Sequence, residues 1–482
     1  MTRDDDGGNV IMMTARWRMP VSARSRQRMT KLKAAVVMTA ALTASVAACG
    51  TTTSTSTSTA GGKLPFAGQT VSVFTNGPSG ANSAATSSYY TYLGNLFHAQ
   101  TGASVNWVYY TSSSQESSTV EASVATSTGP DIFAVGSGFN GTIYGTKAFH
   151  VLSASNWSAV GGRSSFSPSM LTMAGPSATQ DIGVPYESQP FILAYNKAEF
   201  AKAGIKAPPT TWAQFVADAQ AVMKANPGTY GDSLDPADAY GPWKEVWSYA
   251  LQSGGNLVSP NGKTSTLDSA PVRDAVQFYL SELYQYHIVP PQCLTWTGTE
   301  QEAAFAKGQV AMITDATYSL LAEVAGTPVA SQIAFAPMPD VPIGSATRPK
   351  GAPAAQSIVS GNYWTIGNWD KNIPLALAFI KVGTSAQVQA EQFKLLGENP
   401  VTNVALTALA KSNPTMESFI TAQANSTPLP FTAAWSYIEA GVLAVVSHSA
   451  QQLATSGSLS ASYVTSQLAA ADSAVQPQLS AG

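Results

Sequence analysis

Residues able to do covalent or metal chemistry are few and scattered in this chain of 482 residues. His98, His150, His287 and His448 show no H-E-x-x-H or other paired-ligand spacing, so no metal site is expected. No G-x-S-x-G elbow and no P-loop occur. Cys293 has no local motif. A glycosidase would need two opposed carboxylates, and the acidic residues are numerous enough to leave such a pair open. The residues that stand out are recognition groups. Asn76 and Ser137 follow strand-like runs, and Trp243 sits where a Gly-Pro loop enters a helix. Each also has a purely structural reading, Asn76 and Ser137 as turn formers and Trp243 as a packed anchor.

The elements around them follow from pattern. Thr70-Val71-Ser72-Val73-Phe74 alternates as a strand and breaks at Asn76-Gly77-Pro78. Tyr89, Leu93, Leu96 and Phe97 repeat at helical spacing, with Gly102 as the stop. A second strand over Ala103 to Tyr109, a helix marked by Val120 and Val124, and a third strand over Gly129 to Val135 complete an α/β pattern with a parallel sheet. Ligands of such sheets sit outside the carboxyl ends of the strands, here at Thr75-Asn76-Gly77 and Gly136-Ser137-Gly138.

The front of the chain reads as a targeting segment. Arg24, Arg26, Arg28, Lys31 and Lys33 precede an apolar run from Ala34 to Ala48, which is short for a spanning helix and suits a signal peptide. Met29 is a possible true start. Val46-Ala47-Ala48-Cys49 then resembles a bacterial lipobox, which implies cleavage before Cys49 and lipid on its sulfur. Thr51 to Thr59 alternates Thr and Ser as a flexible linker. With Cys49 so used, Cys293 is left alone and no internal disulfide is expected. The net charge is −3; the first 48 residues hold eight Lys/Arg and three Asp/Glu, so the remainder carries 17 basic and 25 acidic residues, a formal −8. That sign argues against nucleic acid and against electrostatic attachment to anionic lipid.

The stretch from Gly183 to Phe215 carries a family resemblance. Gly183-Val184-Pro185-Tyr186-Glu187, Tyr195-Asn196-Lys197, Ala203-Gly204 and Pro208-Pro209-Thr210-Thr211-Trp212 follow one another in the order found in extracellular solute-binding proteins that feed ABC importers, in particular the sugar-binding branch that includes maltose-binding protein. Glu300 to Met312, Ser360 to Ile366, Leu375 to Val382 and Gly397-Glu398-Asn399-Pro400 resemble further motifs of that family. The resemblance implies a periplasmic-binding-protein type of α/β fold, two lobes joined by a hinge with a ligand cleft between them. It divides the chain into residues 1–48 as signal, 49–63 as lipidated Cys and linker, 64–184 plus 309–360 as first lobe, and 185–308 plus 361–482 as second lobe. Pro185, Tyr186 and Gly361 are then hinge residues.

The same resemblance assigns ligand roles. Glu187 matches an acidic hinge residue, Tyr318 an aromatic presented to sugar with Asp315 as a hydroxyl acceptor beside it, and Trp435 a stacking Trp at the start of a late helix. Their structural readings are a link between lobes for Glu187, an N-cap with a packed ring for Asp315 and Tyr318, and a core anchor for Trp435. An aromatic ring suits the apolar C–H face of a pyranose, and hydroxyls take paired donors and acceptors. Where maltose-type relatives have an acidic residue after the third strand, this chain has Ser137 and Asn140, which sets its specificity apart.

The sequence therefore reads as the monomeric, lipid-anchored, substrate-binding component of an ABC importer. It would stand on the outer face of the cytoplasmic membrane, without cofactor or catalysis, and pass a mono- or oligosaccharide to permease transmembrane subunits. A polyamine or glycerol 3-phosphate is the alternative solute. The proposed cleft segments hold no Arg for a phosphate. A non-transport surface lipoprotein and a glycosidase are more distant readings.

Overall fold

The computed structural model describes residues 64–78, 83–239 and 241–481. The signal segment, Cys49 and the Thr51 to Thr59 linker lie outside the described residues.

Strands β1 (Thr70–Asn76), β2 (Ser104–Tyr110) and β3 (Ile132–Gly136) run parallel, with β1 in the middle. Helices Ser83–Thr101 and Ser113–Thr126 connect them. Tyr89, Leu93 and Phe97 bury one face of the first helix, as their spacing requires. Further on come β4 (Gly183–Asn196), β5 (Met312–Ala316), β6 (Ile333–Ala336), β7 (Ile358–Ile366) and β8 (Thr427–Pro428). The sheet order is β2-β1-β3-β7-β4-β5, with β6 on β4 and β8 on β7.

Two long strands carry the chain between the lobes. β4 pairs with β7 from Gly183 to Phe191, then with β5 and β6 from Ile192 onward. The change of partner lies just past the Pro185 to Gln189 stretch. β7 in turn pairs antiparallel with β3 over Asn362 to Ile366. After β4, Asn196 caps the short helix Lys197–Lys202, and Thr211 caps Trp212–Ala225 by accepting from the Gln214 N–H. Phe215, Ala219 and Val222 on that helix are fully buried.

The expected division into lobes needs correction. Residues 309–360 are expected in the first lobe, yet β5 hydrogen-bonds to Ile192–Tyr195 of β4 and packs with helix Pro242–Gln252. The return to the first lobe happens on β7. Helices Ile373–Gly383 and Ala386–Leu396, expected in the second lobe, pack on Ser83–Thr101 instead. Phe379 fixes this, with ring contacts of 5.5 Å to Phe97 and 5.2 Å to Trp364. The chain comes back at β8, which pairs with Ile358 and Val359. Helices Trp435–Ser456 and Ala461–Ala481 then pack on Pro242–Gln252 and Ala270–Tyr284. Apolar periodicity marks each element, but the edge or face it joins is decided by contacts distant in sequence.

Candidate functional site

A hollow of about 430 Å³ opens where β4 and β7 pass between the lobes. Its floor is Glu187 and Gln189 of β4 with Gly361 and Asn362 of β7. One wall comes from the first lobe: Tyr110 at the end of β2, Glu116, and Ser137 and Gly138 directly after β3. The opposite wall is Trp243 and Lys244 at the start of Pro242–Gln252, with Ser436 and Glu439 on Trp435–Ser456. The hollow thus lies at the carboxyl ends of parallel strands, where open α/β sheets bind ligands.

Hydrogen-bonding capacity is concentrated there. The helices Ser137–Gly145, Pro242–Gln252 and Trp435–Ser456 all begin at the hollow, and none has a side-chain cap. Their first-turn N–H groups are donors with partly positive character. Trp243 Nε1 is buried and has no hydrogen-bond partner among the described residues. The acceptors are carboxylates. Burial pushes Glu116 and Glu439 each up to about 7. Glu439 Oε1 accepts from Trp435 Nε1 at 2.7 Å. Glu187 is fully buried, and burial, then the charge of Glu398, raises its carboxyl well above the ordinary value. Asn362 Nδ2 donates to its Oε1 at 2.6 Å, and the Gln189 side chain also hydrogen-bonds to the carboxyl. Lys244 Nζ is 3.3 Å from Asp315 Oδ2 and 4.4 Å from the Phe191 ring centroid. Burial lowers the Lys244 pKa, but Asp315 and Asp235 outweigh that and raise it.

Of the residues singled out in the sequence, Ser137, Glu187, Trp243 and Gly361 line this one hollow. Asn76 and Tyr186 line a smaller one of about 70 Å³ beside it. Pro185 lies within β4 and pairs with Tyr363. Asp315 ends up behind Lys244, in β5 at a φ of 50°, and does not cap a helix. Two aromatics take their structural readings. Trp435 is 0% exposed, held edge-on by Trp243 and Trp247, so neither face is open in this conformation. Tyr318 packs between Phe393 and Phe419 and its hydroxyl accepts from Asn413 at 2.7 Å, in a second apolar cluster away from the hollow. Lys244, Asn362, Gln189, Glu116 and Glu439 went unnoticed in the sequence. Glu439 had a signal: it lies one helical turn past Trp435 on the same face.

Larger hollows exist elsewhere. One of about 1020 Å³ is lined by Thr70 and Asp131, at the amino ends of β1 and β3, the wrong edge of the sheet for a ligand of this fold. Another of about 650 Å³ lies between Tyr144, Phe149 and Phe431 and is mainly apolar. Cys293 is buried, and burial pushes its thiol up to about 12, which makes it a packing group. No helix among the described residues is long and apolar enough to cross a membrane.

A two-lobed α/β chain with a polar cleft at its crossover strands has the architecture of a solute-binding protein. Residues 80–390 match the family described as bacterial extracellular solute-binding protein, and the chain belongs to that family. A binding protein of Brucella abortus (strain 2308) is 28% identical over 140 residues, which is 28% of this chain and 32% of the relative. The matched stretch therefore spans about a third of that relative's length. Among solved structures, Thermotoga maritima MalE3 with maltose bound superposes with a TM-score of 0.68 at 18% identity, over 84% of this chain and 99% of that one. An ABC transporter solute-binding protein of Agrobacterium radiobacter K84 in complex with ribitol gives 0.69 at 17% identity, over 86% and 100%. At such identities the likeness concerns the fold.

Proposed function

We propose that this chain captures a sugar, a mono- or oligosaccharide, in the cleft between its lobes and hands it to the transmembrane subunits of an ABC importer. It acts as a monomer held at the outer face of the cytoplasmic membrane by lipid on Cys49, and it performs no catalytic step. The observation that carries the reading is the balance of the cleft. Uncapped helix N-termini and the Trp243 N–H supply donors, while Glu116, Glu187 and Glu439 supply acceptors. A sugar hydroxyl needs one of each. A phosphate would meet three carboxylates and no Arg in the hollow. The maltose- and ribitol-bound neighbours are in keeping with a polyol.

Closure follows from the same geometry. A ligand touching Ser137 on one wall and Trp243 on the other favours the state in which both are in reach. Glu187, Ser137 and Trp243 are the contacts proposed, with Pro185, Tyr186 and Gly361 in the moving strands.

Thermal unfolding of the purified protein against sugars, polyamines, phosphodiesters and amino acids tests the reading. A ligand at a hundredfold excess over Kd stabilises by about 2.7 kcal/mol. A shift with one sugar class, lost in Trp243→Ala, is expected; a shift confined to polyamines or phosphodiesters would overturn the sugar assignment.

A further inference from the structure

The small hollow beside the cleft has a chemistry that hydroxyl recognition alone leaves unexplained. It holds about 70 Å³ and shares Tyr110 and Asn362 with the main cleft. Its wall is built of rings: Tyr89, Tyr90, Trp107, Tyr110, Tyr186 and Trp364. They brace one another. Tyr90 and Trp107 have centroids 4.6 Å apart, and Tyr186 stacks on Trp364 at 4.3 Å and 11°. One carboxylate, Glu398, stands in that wall, with neither Lys nor Arg among the lining residues.

Glu398 Oε2 accepts from Gln392 Nε2 at 2.6 Å, and burial pushes its carboxyl up to about 7. Across the Asn362 partition, Glu187 is fully buried, and the charge of Glu398 raises its pKa further. The two carboxylates therefore sense each other. The Tyr89 hydroxyl, on a ring only 2% exposed, has no hydrogen-bond partner among the described residues. Burial and mutual repulsion hold both carboxyls toward their protonated forms. A neutral hydroxyl would relieve neither problem. A cation relieves both, and ring faces attract it.

We propose that this recess receives an ammonium group, so that the solute is an amine-bearing sugar with its hydroxyls in the main cleft and its amine among Tyr89, Tyr90, Tyr186 and Glu398. The proposal rests on the sugar reading of the main cleft. The recess is far smaller than the main cleft, about 70 Å³ against about 430 Å³, which suits a head group rather than the body of the solute.

The test is calorimetric titration of the purified protein with matched pairs: glucosamine and glucose, galactosamine and galactose, mannosamine and mannose. Methylammonium chloride serves as the bare head group and sodium chloride as the ionic control. The amine of at least one pair should bind about tenfold more tightly than its neutral twin, a difference of ~1.4 kcal/mol. That advantage should grow from about pH 5.5 to about pH 7, as the carboxyls ionise. It should vanish in Glu398→Gln and shrink in Tyr89→Phe, two near-isosteric changes whose folding is checked by melting temperature. Neutral twins binding as tightly in every pair, or an amine advantage untouched by Glu398→Gln, would overturn the ammonium recess and leave the sugar reading standing. Methylammonium bound by the unmodified protein and not by Glu398→Gln, with no sugar bound, would keep the recess and overturn the sugar reading. Silence across the whole series would overturn both.

Discussion

Asn362 Nδ2 donates to Glu187 Oε1 at 2.6 Å, joining β7 to β4 at the floor of the cleft. The bond links the two strands that carry the chain between lobes, and it offsets part of the cost of burying Glu187. Asn362→Ala should therefore do two things. It should lower unfolding stability by about 1–3 kcal/mol, the cost of leaving a buried acceptor without its donor. It should also weaken solute binding, since Glu187 then loses the donor that fixes its carboxyl at the cleft floor. Urea unfolding and calorimetric titration of the same variant check both. Unchanged stability would show that water replaces the amide without cost.

Trp435 gives a second prediction, one that separates a core residue from a ligand platform. Its ring is fully buried against Trp243, Trp247 and Gly138, where a Cβ added to Gly138 would lie 2.9 Å from Trp435 Cδ1. Trp435→Ala should cost about 3–5 kcal/mol in the absence of any solute. A stacking platform would lose affinity and keep its stability. Melting curves with and without solute tell the two apart.

These residues also show what the sequence could and could not disclose. The place of Ser137 in the wall of the hollow was legible because a parallel strand delivers its next residue to the carboxyl edge of the sheet, and Phe215, Ala219 and Val222 were legible because helical spacing is local. Trp435 and Tyr318 were not. An aromatic at the start of an element can face a cleft or a core, and the choice depends on what packs against it. For Trp435 that is Trp243 and Trp247; for Tyr318 it is Phe393 and Phe419. All four lie far away in sequence. Glu398 was hidden for a related reason. Its Gly-Glu-Asn-Pro stretch stands out only as a family motif, and only the fold brings it beside Tyr89, Tyr186 and Glu187.

A buried acidic cluster in the second lobe sets a pH dependence. Burial pushes Asp232 up to about 7, and raises Glu282 and Glu245 well above their ordinary values. Asp232 and Glu282 hydrogen-bond to each other, which favours the protonated Glu282 and the ionised Asp232. Folded pKa values above the unfolded ones, about 3.9 for Asp and 4.3 for Glu, mean that the native state binds more protons. The contribution to stability is then complete below about pH 4 and is lost as pH rises through about 7, at up to ~1.4 kcal/mol per pH unit for each such group. Melting temperature should fall between about pH 5 and about pH 8. Asp232→Asn should flatten that slope and stabilise the protein at the alkaline end. A slope identical in both proteins would remove Asp232 from the cause.

At Gly361 the crossover strands leave no room for a side chain. It pairs with Ser188, and an added Cβ would stand 2.4 Å from the Glu187 carbonyl oxygen and 2.5 Å from Met170 Cε. The methionine can swing aside; the backbone carbonyl is held in the sheet. Gly361→Ala must therefore separate β7 from β4, at a cost of about 1–3 kcal/mol. Because the same strands form the cleft floor, Glu187 and Asn362 shift with them, and solute affinity should fall alongside stability. Gly145→Ala is the control, since its Cβ would meet nothing within 4 Å. It should change stability by no more than about 0.5 kcal/mol. Paired urea titrations of the two variants measure the difference, and equal midpoints would show that the crossover strands slide apart more freely than their packing implies.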